Sequence, residues 1–303
     1  VPLDPDAEAM RVLLSAMPPL ETLTPAEARE ITGTAMAASL PHGAEVASVE
    51  EREVAGVPCQ VVTPKGHGPF GVLVWFHGGG WVIGSAPLSL HTARDLAAGA
   101  GCVVVSADYR LAPEHPFPAA HDDAVAVTRA VLAGAAGPGA DPGRVAVGGD
   151  SAGGNLAAAV ALATPGLRHQ LLAYPVLDAT MGEPSYREVG DGYLLTAPAM
   201  KWFIDCYLQG ADPRDPRVSP LFADEEALAA ACGAHVVLAG YDPLRDEGAA
   251  YAARLAGAGV EVTVSRYPGQ MHGMLTMGDS LPTGAAAMEE ACTLLRRALG
   301  HAA

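Results

Sequence analysis

Residues 144–164 read RVAVGGDSAGGNLAAAVALAT. An apolar run of β character ends at Gly148, and an apolar helical run starts at Ala152. Between them, Gly149-Asp150-Ser151-Ala152-Gly153 fits G-x-S-x-G, a strand–turn–helix in which a serine can be raised as a nucleophile. The glycines answer to crowding, since a side chain two positions either side of the serine would strike the strand or the helix. The helix N-terminus behind the serine favours negative charge developing there. The alternative is a small serine in a glycine-rich turn, which requires neither the strand before nor the helix behind.

Working outward, eight runs have strand character: ASVEEREV, CQVVTP, GVLVWF, CVVVSAD, RVAVGG, HQLLAYP, HVVLAG and EVTVSRY. The first two alternate and predict an antiparallel pair at a sheet edge. Most of the others are continuously apolar, as strands buried on both faces are. Helical stretches near 88–99, 119–134, 152–164, 246–258 and 284–299 separate them, and the last carries Met288, Ala291, Cys292, Leu295 and Leu299 on one face. This alternation predicts an α/β fold: a mostly parallel eight-stranded sheet with helices on both faces. Before Pro41, where the character changes, two helices are predicted. One has Met10, Leu13, Leu14 and Met17 on a single face, and one opens at a capping box, Thr24-Pro25-Ala26-Glu27. Residues 179–234 break the rhythm, and so long an excursion suggests a lid. The expected division is N-terminal cap helices 1–43, catalytic domain 44–179, cap insertion 180–223 and catalytic domain 224–303.

Composition narrows the function. The chain has 303 residues, half of them hydrophobic, which suffices for a large core. Its formal net charge of −16 argues against nucleic acid or an anionic membrane as a partner. Five scattered cysteines without a CxxC predict mostly buried thiols of a reducing compartment, not disulfides or zinc. The acidic start VPLDPDAEAM lacks the pattern of a signal peptide, and no apolar run reaches the roughly 18 residues of a membrane helix. A cytoplasmic protein is expected. GDSAGG also overlaps the GDSGG of chymotrypsin-like proteases, with His77, Asp108 and Ser151 in the matching order, but those are disulfide-bonded β proteins.

A serine nucleophile attacking a carbonyl needs donors for the oxyanion, each typically worth about 10²–10³ in rate. GVLVWF runs into His77-Gly78-Gly79-Gly80-Trp81, whose glycines leave backbone N–H groups open to a substrate, and Ala152 supplies another. The elbow motif places acid and base downstream, acid first. His169 and His235 open strands at the end opposite the active face, whereas His272 follows a strand and sits on a glycine-containing loop. Asp242, just past a strand end, is the acid. Asp246 is second, in a helix first turn with Glu247, where carboxylates offset the dipole without catalytic duty.

HGGGW, DYRLAPE, GDSAGGN, DPLRDEG and HGM, in this order, resemble the hormone-sensitive-lipase-like bacterial carboxylesterases of the α/β-hydrolase superfamily over essentially the whole chain. The resemblance implies an α/β-hydrolase fold with a helical cap, and Ser151, Asp242 and His272 as a triad. It implies Gly79, Gly80 and Ala152 as oxyanion donors, with Gly78 shaping the loop and Asp108–Pro118 supporting it. A metal reading of His115, His121, Asp122 and Asp123 is set aside. One departure is Met274, where an aromatic commonly follows the His-Gly pair, and it should alter pocket shape. Substrate-contacting candidates are Trp81, Asp150, Tyr193, Leu195, Trp202, Phe203, Met271 and Met274. The expected activity is hydrolysis of short to medium acyl esters through an acyl-enzyme, without cofactor, on a small-molecule substrate, in a monomer or homodimer. An amidase, lactonase or transesterase would share the chemistry, and a non-catalytic receptor would share the fold.

Overall fold

The computed structural model describes residues 1–39, 42–277 and 281–300; Pro41, where the character of the sequence changes, lies outside them. All eight strand runs form one sheet: β1 (Ser48–Val54), β2 (Val57–Thr63), β3 (Phe70–Phe76), β4 (Val103–Ala107), β5 (Ala140–Asp150), β6 (His169–Ala173), β7 (Gly233–Tyr241) and β8 (Val262–Met271). Their order is β1-β2-β4-β3-β5-β6-β7-β8. β1–β2 and β2–β4 are antiparallel, and the remaining pairs are parallel.

The apolar strands follow from two cores, one on each face. In β3, Val72, Val74 and Phe76 enter one cluster while Leu73 and Trp75 enter the other. β4 divides the same way, Val103, Val105 and Ala107 against Val104. With side chains alternating across a pleat, a strand facing two cores has no polar face to show.

One face is covered by α4 (Ala119–Leu132), α5 (Ala152–Ala163) and α9 (Arg245–Gly257), the other by α3 (Leu90–Ala100) and α10 (Pro282–Ala298). α10 buries Ala291, Cys292, Leu295 and the following Leu299, as its periodicity predicts. All five cysteines are unpaired thiols.

The N-terminal helices are α1 (Pro5–Leu14) and α2 (Pro25–Ser39). The capping box ahead of α2 forms in both directions. Thr24 N donates to Glu27 Oε2 at 2.8 Å, and Glu27 N donates to Thr24 Oγ1 at 3.3 Å. The apolar face expected of α1 is not a buried seam: Leu13 is 68% exposed, and Ala7 is the buried residue. This helix is held by polar contacts at its start. Asp4 N donates to the Gly269 carbonyl, and Gln270 Nε2 donates to Asp4 and Asp6. Between β6 and β7 the chain forms α6 (Ser185–Glu188), α7 (Ala197–Leu208) and α8 (Glu225–Ala230). Among the described residues, no helix is long and apolar enough to cross a membrane.

Candidate active site

Ser151 stands between β5 and α5 with φ 56° and ψ −118°, a conformation L-residues avoid. Backbone bonds hold it there, Ser151 N donating to the Ala173 carbonyl and Val176 N to the Ser151 carbonyl. The crowding inferred from the sequence is literal. A Cβ on Gly153 would lie 1.9 Å from the Phe76 carbonyl oxygen, and one on Gly149 would lie 2.3 Å from the Gly153 carbonyl. Asn155, in the first turns of α5, donates from Nδ2 to the Val176 and Val218 carbonyls and ties the helix to the excursion.

The structure brings Ser151, His272 and Asp242 together from three segments. His272 Nε2 is 3.0 Å from Ser151 Oγ, and its Nδ1 is 2.8 Å from Asp242 Oδ2. With the ring proton on Nδ1, the serine hydroxyl donates to Nε2 and the ring donates to the carboxylate. Asp242 is fully buried and its Oδ1 accepts from Leu244 N at 2.9 Å, so both of its oxygens are engaged. The Tyr174 ring leans on the imidazole at 4.7 Å. Asp246, the second acid candidate, faces elsewhere, pairing with Arg245 and accepting from Ser185 N.

The loop after β3 lies against this elbow. Gly79 has φ 113° and Gly80 φ 57°. A Cβ on Gly80 would sit 2.2 Å from the Phe203 ring, so that ring rests directly on the glycine. Among the described residues, the amides of Gly79, Gly80 and Ala152 have no protein acceptor, while Gly78 N donates to Asp150 Oδ1 at 3.0 Å. Asp150, a substrate-contact candidate, therefore braces the loop from the elbow side. Burial pushes its carboxyl up to about 6, opposed by His272 and by the Gly78 amide.

His77 is buried and stacks on Tyr109 at 4.3 Å, and Tyr109 Oη donates to the His77 carbonyl at 2.7 Å. Burial lowers the affinity of this histidine for a proton. Asp108 accepts from Ala86 N, and Ala112 N donates to the Trp81 carbonyl, so the DYRLAPE segment supports the loop physically. Asp123 is held by a bidentate contact from Arg110.

The remaining candidates divide. Trp81, Leu195 and Phe203 share the core cluster that includes Ala152, and Trp202 packs beside them, 5.1 Å from Phe203. Trp81 is wholly buried and stacked on Tyr207 at 4.3 Å. Tyr193 is half-buried against Tyr241, and Met271 is buried where β8 meets Tyr241. Met274 lies in the opposite cluster, with Trp75, Tyr174 and Leu281. Residues missed by the sequence reading include Asn155, which stands within the GDSAGGN motif, and Ser185, which no local pattern marks.

Residues 73–276 match a family described as alpha/beta hydrolase fold. The carboxylesterase NlhH of Mycobacterium tuberculosis is 41% identical over 235 residues, 75% of this chain and 74% of that protein. The ethyl acetate hydrolase of Pseudomonas putida is 39% identical, over 76% of this chain and 75% of that one. The crystal structure of a thermostable esterase from Pseudomonas putida ECU1011 superimposes with a TM-score of 0.93 at 38% identity, covering 99% of both chains. With eight strands in hydrolase order and relatives of this kind along most of its length, the chain belongs to the hormone-sensitive-lipase-like group of the α/β-hydrolase family and is a carboxylic ester hydrolase.

Proposed function

We propose that the protein hydrolyses short to medium acyl esters through a covalent acyl-enzyme on Ser151, with His272 as base and Asp242 as its orienting acid. The observation that carries this reading is the unbroken hydrogen-bond path from Ser151 Oγ through the imidazole to a buried carboxylate. His272 takes the hydroxyl proton as Oγ attacks the ester carbon, and the Gly79, Gly80 and Ala152 amides receive the oxyanion. The protonated imidazole then gives its proton to the departing alcohol. Water, deprotonated by the same ring, attacks the acyl-enzyme, and the imidazolium returns that proton to Ser151 Oγ as the acid leaves. Asp242 keeps the proton on Nδ1 and stabilises the imidazolium without taking the proton itself.

Short acyl chains are favoured by the Phe203 ring, which occupies the space directly over Gly80. A relative named for ethyl acetate, whose acyl part has two carbons, points the same way. In this reading α1–α2 and residues 180–223 cap the site. Arg29 of α2 supports that assignment, because it donates to the Val82 and Ala112 carbonyls beside the oxyanion loop and pairs with Glu114. The test is a p-nitrophenyl ester series of increasing acyl length on the wild type and Phe203→Ala. The wild type should favour the short esters, and the variant should shift the optimum towards longer ones. A wild type that prefers long chains, or hydrolyses matched anilides faster than esters, would refute the assignment.

A further inference from the structure

The loop that carries Asp242 is shaped by its own hydrogen bonds, Leu244 N to Asp242 Oδ1 and Arg245 N to the Asp242 carbonyl. Those bonds set the turn's form, and β7 delivers the chain to it with Tyr241 paired to Met271 of β8. The start of the excursion between β6 and β7 grips the same turn as well. Ser185, fully buried at the first position of α6, donates from Oγ to the Pro243 carbonyl at 2.5 Å. Its backbone N donates to Asp246 Oδ2 at 3.0 Å. One helical turn on, Glu188 pairs with Arg245, whose Nε also holds Asp246. Ser185 thus grips the residue just after Asp242 and the one four positions on.

We propose that Ser185 is a positioning residue, which holds the Asp242 loop in register with His272 and so couples the excursion to the base. The inference rests on the reading of Asp242 as the acid. The coupling continues beyond α6. Val189 N donates to the Ser185 carbonyl, and Ala197 N donates to the Gly190 carbonyl. Gly190 abuts so closely that a Cβ there would lie 2.0 Å from the Tyr186 carbonyl oxygen. Ala197 begins α7, the helix whose Phe203 rests on Gly80. One short piece of chain therefore connects the ring over the oxyanion loop with the loop behind the imidazole.

The experiment compares Ser185→Ala with Ser219→Ala. Ser219 is an equally buried serine of the same excursion, and its hydroxyl donates to the Pro213 carbonyl and accepts from Ala179 N, away from the acid loop. For S185A, kcat on p-nitrophenyl butyrate should fall roughly tenfold with KM within about twofold, since small misplacements of a catalytic group are costly in rate and not in binding. S219A should lower the melting temperature comparably while kcat stays within about twofold. Equal kcat in the two variants overturns the inference. If S185A does not fold, Asp246→Ala, at a partly exposed position, carries the same prediction, and an unchanged kcat there overturns it. Asp242→Ala separates the two claims. If D242A is nearly inactive and S185A behaves like S219A, only the inference fails; if D242A is fully active, the acid assignment itself fails.

Discussion

His272 and His235 make a natural pair, because each meets a buried serine through Nε2, Ser151 at 3.0 Å and Ser265 at 2.9 Å. By distance alone the two are equivalent, and everything that separates them lies in the surroundings. His235 stands inside β7 towards its amino end, and its Nδ1 has no partner among the described residues. Burial pushes that histidine down to about 4, so its ring is neutral at ordinary pH. Ser265 lies within β8, inside the regular ladder with β7. His272 has a buried carboxylate on its rear nitrogen, and Ser151 is held in a conformation that only a strained turn provides. A histidine–serine hydrogen bond is therefore an ordinary packing solution. The acid behind the ring, the raised serine and the open amides opposite are what make one pair a candidate for acyl transfer.

The sharpest way to break this comparison is Ser151→Ala against Ser265→Ala. The first should lose about 10⁴-fold or more in kcat, while the second should stay within about twofold. Labelling with a serine-directed phosphonate, mapped by peptide mass spectrometry, should mark Ser151 alone. Similar losses in both variants would erase the distinction.

Next in size is the scaffold of the raised serine. Gly153→Ala places a methyl against the Phe76 carbonyl, so the variant should lose more than about 3 kcal/mol in urea denaturation or fail to fold. A near-neutral result would mean that the turn is not constrained as described.

The third prediction concerns pH. The folded value of His235 lies below its ordinary 6.5, so the unfolded chain takes up the proton first. Stability is therefore lost as pH falls from about 6.5 towards 4, by on the order of 2–3 kcal/mol for this one group. Denaturant midpoints of His235→Gln measured between pH 7 and 4.5 should decline less steeply than those of the wild type. Parallel slopes would show that His235 does not carry the effect.

The smallest effect is expected at Met274, two residues past His272. Met274→Phe should cost about 1–3 kcal/mol by overpacking the cluster around Trp75 and Leu281, with the acyl-length profile unchanged. A shifted profile would place the side chain at the substrate instead.

Much of this was legible in the residues. Buried strands declared themselves because β3 and β4 face two cores, and the elbow did because its glycines answer to clashes that no other residue avoids. His272 and Asp242 followed from chain order and strand ends. What escaped detection depends on contacts between distant segments. That Asp150, a substrate-contact candidate, also carries the Gly78 amide is one such contact. Met274 neighbours His272 in sequence but joins the core cluster on the other face of the sheet. The apolar residues of α1 have helical spacing, yet Leu13 stays exposed while Met10 packs against the second core. Ser185 has no local signature, since its partners lie near residue 243. Pattern reports which face of an element is apolar, not what finally packs there.

The closeness of Gly153 to the end of β3 matters for anyone redesigning this enzyme. The turn that presents Ser151 and the strand that launches the glycine loop at 78–80 touch through bare backbone, with no side chain between them to absorb a change. They form a matched set of parts. Transplanting either into another scaffold without the other would bring mismatched backbones into collision, so the smallest portable unit is the two together.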